Sequence, residues 1–226
     1  FTGDQIPDDA FDAILEAGRL APSTVNLQTW SLAVFTPDTW QATFDRTIPF
    51  RSQRAVIVMG DTHRIRLVYD AFPSSPMVEY TVAVINASLA AMSMNIAAEA
   101  LGVSSVMLSE TGRTGLLDAA YLKKRLKLPD GVFPLTTIVF GYPRGGHPPM
   151  PPKLPLEQIV FERTYREADQ SVMVDWLLQM QAGFKASHPT SSFEAQLQVY
   201  ISKINQAEAD LRSMVLREPG GGRNTE

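Results

Sequence analysis

The sequence predicts a domain of the α/β or α+β class, because helical patterns alternate with four candidate strands. Apolar residues recur at helical spacing in several segments, of which the longest covers residues 78–101. Four short apolar runs between these segments are typical of strands. The chain has 226 residues, 45% of them hydrophobic, so it is long enough for one domain with a sizeable core and an appendage.

Local signals place the boundaries of these elements. Pro7 with two following acids suits a helix first turn, and Gly102 suits the end of the long helix. Ser191 and Glu194 have the spacing of a capping box at the start of the last helix. The predicted helices are 7–20, 37–44, 63–72, 78–101, 114–126, 168–187 and one from Ser191, and the predicted strands are 30–36, 54–60, 103–108 and 135–142. A loop rich in proline follows at 143–155.

The composition excludes several classes of protein and site. A net charge of −4 without a basic stripe argues against a nucleic-acid partner. The chain has no cysteine, which excludes disulfides, thiolate nucleophiles and zinc sites built on cysteine. A reducing compartment fits this, and we expect a cytoplasmic protein. The uncharged run 80–98 contains five Ser, Thr and Asn residues, so we expect a buried or subunit-interface helix there and no membrane partner.

No side-chain motif for catalysis is present in the sequence. It has no GxGxxG after a strand, no GxxxxGK[ST] and no GxSxG. His63, His147 and His188 lie far apart, so we expect loop or surface positions and no metal site. We interpret the Asn86-Ala87-Ser88 sequon, inside an apolar helix, as chance. An enzyme of this sequence would therefore depend on a cofactor for its chemistry.

Three blocks of residues, in order along the chain, carry a resemblance. They are LAPSTVNLQTW at 20–30, AAEALGV at 97–103 followed by Ser109-Glu110, and FGYP at 140–143 followed by PKLPL at 152–156. Together they resemble the FMN-dependent nitroreductase family over about residues 1–165. Thr29 stands where the family usually has proline. The family also has a basic stretch immediately before the position of Phe1, so we expect the full protein to contain residues ahead of Phe1.

The resemblance implies an α+β fold with a central, mostly antiparallel sheet of four to five strands flanked by helices. It also implies an obligate homodimer with two FMN molecules in clefts between the subunits. The predicted organisation is a nitroreductase-like FMN-binding domain at 1–165, a C-terminal helical extension at 166–218 and a flexible tail at 219–226. The apolar stripe of the extension, from Phe193 to Met214, is expected to cover either the partner subunit or the substrate cleft, and we favour the partner subunit.

The resemblance also implies which residues bind the cofactor. A polar loop would meet the flavin of the facing subunit, a second segment would place backbone N–H groups at flavin N5, and a lysine would bind the phosphate. These residues are Pro22, Ser23, Thr24, Asn26 and Gln28 in the loop, Leu108, Ser109 and Glu110 in the second segment, and Lys153. From the residues alone, an ordinary turn, a solvent-facing acid and a solvated lysine remain open alternatives.

The implied activity passes a hydride from NADH or NADPH via flavin N5 to a nitroaromatic, a quinone or an activated alkene. Because one site serves both substrates in turn, we expect ping-pong kinetics, with no catalytic side chain and no metal. Two alternatives stay open. One is a flavin-binding family member with little turnover, acting as a sensor or a storage protein. The other is an interaction protein without a cofactor.

Overall fold

The computed structural model describes residues 1–108, 115–146 and 149–216. Within them the chain forms two compact units. The first contains residues 1–145 and the chain from Ile204 onward, and the second contains residues 146–203. The domain limits predicted above rest on resemblance and composition and stay predictions. The predicted tail at 219–226 lies outside the described residues, as do Thr114 and His147.

A four-stranded sheet with order β1-β2-β4-β3 forms the centre of the first unit. All three strand pairings are antiparallel. The strands are β1 (Trp30–Phe35), β2 (Arg54–Asp61), β3 (Ser104–Leu108) and β4 (Val132–Gly141), and the helices of this unit are α1 (Asp8–Arg19), α2 (Pro37–Phe44), α3 (His63–Arg66), α4 (Pro76–Ala100) and α5 (Ala119–Leu126). This confirms the α+β class and the predicted antiparallel sheet.

Helices cover both faces of the sheet, because side chains alternate between the faces along each strand. Val56, Val58 and Ile138 point toward α1 and α4, where Phe11, Ile14 and Met94 complete one core. Their strand neighbours Ala55, Ile57 and Val139 point the other way, toward Trp40 and Phe44 of α2 and Leu122 of α5. The two central strands are therefore apolar along most of their length, as double burial requires.

The long helix α4 packs closely on the sheet and on α1 through small residues. A Cβ added at Gly60 of β2 would lie 2.9 Å from the Ala83 Cβ, and one at Gly18 of α1 would lie 2.8 Å from Met94 Cγ. The opposite side of α4 presents large apolar side chains to solvent. We call this the outer face of α4; its residues are Val78, Ile85, Leu89, Met92 and Ile96.

Among the described helices, α4 is also the one whose length and apolar composition would suffice to cross a membrane. Its inner side chains, Ala83, Ala87, Ala90 and Met94, are buried in the cores described above. These contacts make α4 the central helix of a folded unit, with a second apolar face left uncovered.

Some predicted boundaries were wrong for identifiable reasons. Strand β4 begins at Val132, ahead of the predicted Leu135, because Pro134 is accommodated where the register with β2 shifts between Val58 and Met59. Helix α3 ends at Arg66, where the prediction continued to Phe72. The hydroxyl that accepts the Ala195 N–H at the start of the last helix belongs to Ser192, one residue after the predicted Ser191.

The second unit contains the expected additional C-terminal helices. They are α7 (Gln170–Ser187) and the first part of α8 (Phe193–Val215); the short helix α6 (Leu156–Ile159), which precedes them, was not predicted. Trp176 of α7 donates its indole N–H to the Pro152 carbonyl at 3.2 Å and so ties the proline-rich loop to this helix. The last turns of α8 lie in the first unit, where Met214 and Val215 pack with Ala119 and Phe133.

Candidate functional site

The segment from Pro22 to Gln28 forms a tight polar loop between α1 and β1. Ser23 organises it: its carbonyl accepts the Asn26 N–H at 3.1 Å, and its hydroxyl accepts the Gln28 N–H at 3.1 Å. The Leu27 N–H bonds to the Thr24 carbonyl at 3.0 Å. Three backbone N–H groups of the loop, those of Asn26, Leu27 and Gln28, are therefore used within the loop itself.

Three non-glycine residues of this loop have a positive φ angle: Val25 at 49°, Asn26 at 56° and Gln28 at 49°. A β-branched residue rarely adopts this conformation, and Val25 is also 88% exposed. Such conformations cost on the order of 1–3 kcal/mol each and persist where the surrounding structure holds them in place. They cluster at functional sites, so the strain itself marks this loop.

Asn86, which the sequence suggested only as part of a chance sequon, connects the loop to α4 by hydrogen bonds. Asn86, in the middle of α4, is completely buried. Its carboxamide oxygen accepts the Thr24 N–H at 3.0 Å and the Thr24 hydroxyl at 3.1 Å, and its NH₂ donates to the Thr29 hydroxyl at 2.8 Å. Asn86 was noticed only as part of a sequon. The available signal was an amide in a long alanine-rich helix, where a buried polar group needs partners.

A cleft of about 530 Å³ borders the loop on the β1 side. Gln28, Ser31, Arg19 and Arg64 supply its polar lining. The Glu16 carboxylate, hydrogen-bonded to Arg19, raises the pKa of that guanidinium further. Buried Asp61 accepts from the Ser31 hydroxyl and pairs with Arg64 Nε at 3.2 Å, so the Arg64 side chain is oriented from beneath. The hydrogen bond between Ser31 and Asp61 could not be predicted from the sequence, because the two residues lie on different strands, 30 positions apart.

The second predicted segment is only partly described. Leu108 is buried at the end of β3, and its carbonyl accepts the Thr136 hydroxyl at 3.1 Å. Ser109 and Glu110 lie outside the described residues. The Leu108 side chain is part of the core, so any contact of Leu108 with a ligand comes from its backbone.

Lys153 belongs to the second unit. Its side chain is exposed and forms no ion pair within the described ranges 1–108, 115–146 and 149–216. Pro152, held by Trp176, precedes it, and Pro155 follows, so its backbone is restricted while its ammonium group is available. In the same described ranges, no three His, Asp or Glu side chains come close enough to hold a metal ion.

The exposed groups fit the polar parts of flavin mononucleotide. The Asn26 carboxamide bonds to none of the described side chains or backbone groups, and the Gln28 carboxamide reaches only the Asn26 carbonyl, at 3.4 Å. Both amides offer a donor and an acceptor, as the ribityl hydroxyls and the edge of an isoalloxazine ring require. Taken by itself, the second unit offers in Lys153 an exposed ammonium group of the kind that binds phosphate as a point charge.

Comparison with known proteins decides the family. The model of the nitroreductase family matches residues 1–142, which include all four strands and the polar loop. The chain belongs to the nitroreductase family. This confirms the resemblance seen in the sequence and places the chain among oxidoreductases.

Relatives of this nitroreductase-family chain are distant in sequence. A protein of Archaeoglobus fulgidus named "Putative NADH dehydrogenase/NAD(P)H nitroreductase" is 27% identical over 146 residues, which are 62% of this chain and 76% of that protein. Bacillus megaterium NfrA2 superposes with a TM-score of 0.77 at 18% identity, covering 96% of this chain and 91% of that one. The NADPH:FMN oxidoreductase of Vibrio harveyi, solved with NAD⁺, gives 0.67 at 20% identity, with coverages of 92% and 91%. These likenesses confirm the fold.

Proposed function

We propose that this protein is an FMN-dependent oxidoreductase that passes a hydride from NADH or NADPH to a nitroaromatic, a quinone or an activated alkene. One observation carries the proposal. In a chain of the nitroreductase family, the loop expected to meet the flavin is held in a rare backbone conformation with two carboxamides facing outward. The relatives named for NAD(P)H nitroreductase and NADPH:FMN oxidoreductase activity support the same reaction class.

Bound FMN would supply the hydride chemistry. The protein contributes binding and orientation. Ser23 fixes the turn, and Thr24, Asn26 and Gln28 present hydrogen-bonding groups to the ribityl chain and ring edge. Pro22 precedes these residues, and backbone groups at Ser109 and Glu110 would face N5. Both substrates use this one site in turn, which makes the order of reaction ping-pong.

We propose further that the protein works as a homodimer paired through the outer face of α4. Its five large apolar side chains are 40–58% exposed and follow one stripe of the helix. Contiguous apolar surface of this kind marks an interface in soluble proteins. Pairing there would cover the apolar surface of α4 and bring the polar loop of one subunit toward its partner.

Replacing Lys153 with glutamine tests the phosphate contact. A charge-assisted hydrogen bond contributes about 1.5–3 kcal/mol, so the Kd for FMN should rise about tenfold to a hundredfold. Fluorescence quenching of added FMN by the flavin-free protein measures this Kd. Riboflavin, which lacks the phosphate, should bind the variant and the parent equally. The control is Lys124→Gln, which changes an exposed lysine of α5. This variant should bind both flavins as the parent does.

An equal loss of riboflavin affinity in Lys153→Gln would contradict the phosphate assignment, because it would show a general disturbance of the site. Unchanged FMN affinity would contradict it as well. In that case the Lys153 ammonium group is a solvated surface charge.

A further inference from the structure

The buried carboxamide of Asn86 forms three described hydrogen bonds, and all of them go to residues in or beside the polar loop. The oxygen accepts two hydrogen bonds from Thr24, and the NH₂ group donates to Thr29. Thr29 itself is buried, and its carbonyl accepts the Asp61 N–H at 3.0 Å. Asn86 therefore links both ends of the segment 24–29 to the central helix.

The hydrogen bonds from Asn86 hold the loop in its rare backbone conformation. Val25, Asn26 and Gln28 occupy a region of backbone space that they would leave if the chain were free. If Thr24 moved away, the Asn86 oxygen, which is buried in the folded chain, would lose both of its described donors, which is costly. The buried amide thus makes the rare loop conformation the favourable one.

A second asparagine on α4 shows that the arrangement is specific. Asn95 accepts a hydrogen bond from the Ser105 hydroxyl of β3 and contacts the loop through none of its described hydrogen bonds. Both asparagines interrupt the same alanine-rich helix, and one serves the sheet while the other serves the loop. The packing of α4 alone therefore does not account for Asn86.

We propose that Asn86 is a positioning residue for the cofactor: from the core it holds Thr24 and the strained loop in the conformation that binds FMN. The inference rests on the proposed function, because it takes FMN as the ligand of the loop. Asn86 does not touch the ligand itself. Its effect is expected on the affinity for FMN and on the exchange of loop amides, with the fold intact.

The test compares Asn86→Ala with Asn95→Ala. Alanine suits the helix, and each substitution removes one hydrogen-bonded amide from α4, which is buried at Asn86 and half-buried at Asn95. Because a lost network of this kind shifts binding by about tenfold, the Kd for FMN should rise about tenfold in Asn86→Ala and less than about twofold in Asn95→Ala. Hydrogen exchange of the flavin-free proteins at amides 24–28 should be about tenfold faster in Asn86→Ala and unchanged in Asn95→Ala.

A second, isosteric variant guards against a failure of Asn86→Ala to fold. Thr29→Val removes the acceptor of the Asn86 NH₂ group and leaves both bonds to Thr24. It should raise the Kd for FMN by less than Asn86→Ala does, and amides 24–28 should exchange faster than in the parent.

The outcomes separate this inference from the proposed function. If the parent binds FMN and Asn86→Ala binds it equally, with unchanged exchange at 24–28, the positioning role is overturned and the proposed function stands. Equal losses of affinity in Asn86→Ala and Asn95→Ala would also overturn it, since the effect would then be one of general stability. If the parent itself binds no FMN, the proposed function falls, and this inference falls with it.

Discussion

Replacing Leu89 and Ile96 with glutamate is expected to turn the proposed homodimer into monomers and to release most of the FMN that we propose it binds. Both side chains lie on the outer face of α4, 40% and 58% exposed, so the substitutions leave the inner contacts of α4 untouched. Burying carboxylates in an apolar interface costs several kcal/mol per ion, which weakens a dimer by more than about a hundredfold. Sedimentation equilibrium of the FMN-loaded protein measures the dissociation constant.

The matched control places the same two charges elsewhere. Ala42 of α2 and Ala120 of α5 are exposed alanines on helices that cover the opposite side of the sheet. Ala42→Glu with Ala120→Glu should leave the dimer and its FMN content unchanged. Retention of the dimer by the Leu89 and Ile96 variant would show that the subunits pair through another surface. A parent protein that is monomeric at micromolar concentration would contradict the dimer itself.

Replacing Arg66 with methionine is expected to lower the free energy of unfolding by about 3–5 kcal/mol, the usual cost of leaving a buried charge without its partner. Glu79, at the start of α4, is 3% exposed, and it accepts from the Arg66 guanidinium and from the Thr62 hydroxyl. Thr62 also donates its N–H to the Gly131 carbonyl at 2.8 Å. The pair thus joins the segment after β2 to α4 and to the start of β4.

Urea denaturation at fixed protein and FMN concentrations measures this change, because both association and ligand binding raise apparent stability. Arg212→Met is the control: its partner Glu208 is on the same helix, both side chains are more than half exposed, and such pairs contribute at most about 1 kcal/mol. Adding Glu79→Leu to Arg66→Met should restore part of the loss, because no unpaired carboxylate remains. A loss below about 1 kcal/mol in Arg66→Met would contradict the assigned role of the pair.

The fold was largely predictable because its strongest signals are local. The nearly continuous apolar run in Arg54–Asp61 reflects a strand buried on both faces. Gly102, with φ of 73°, follows the end of α4 as predicted. The short extent of α3 was not predictable, because the apolar residues that follow it, Leu67 and Val68, suggested a longer helix but remain exposed. The start of β4 was missed because proline ordinarily excludes a central strand, and only the pairing with β2 reveals the register shift.

The site was predictable only where its residues are adjacent in sequence. The loop 22–28 could be found because Ser, Thr and Asn residues with these neighbours resemble the family. Asn86 lies 62 residues from Thr24, and Asp61 lies 30 residues from Ser31, so their contacts exist only in the folded chain. The role of Asn86 depends on which side of α4 meets the loop, which periodicity does not reveal in a helix that is apolar all round.

The central claim is that the protein binds a flavin and that NADH or NADPH reduces this flavin. An anaerobic absorbance spectrum tests the claim most directly. The purified protein, supplied with FMN and freed of excess, should be yellow and should bleach on addition of NADH or NADPH. A nitroaromatic or quinone added afterwards should restore the oxidised spectrum. A protein that retains no FMN, or a bound flavin that neither nicotinamide bleaches, would contradict the account.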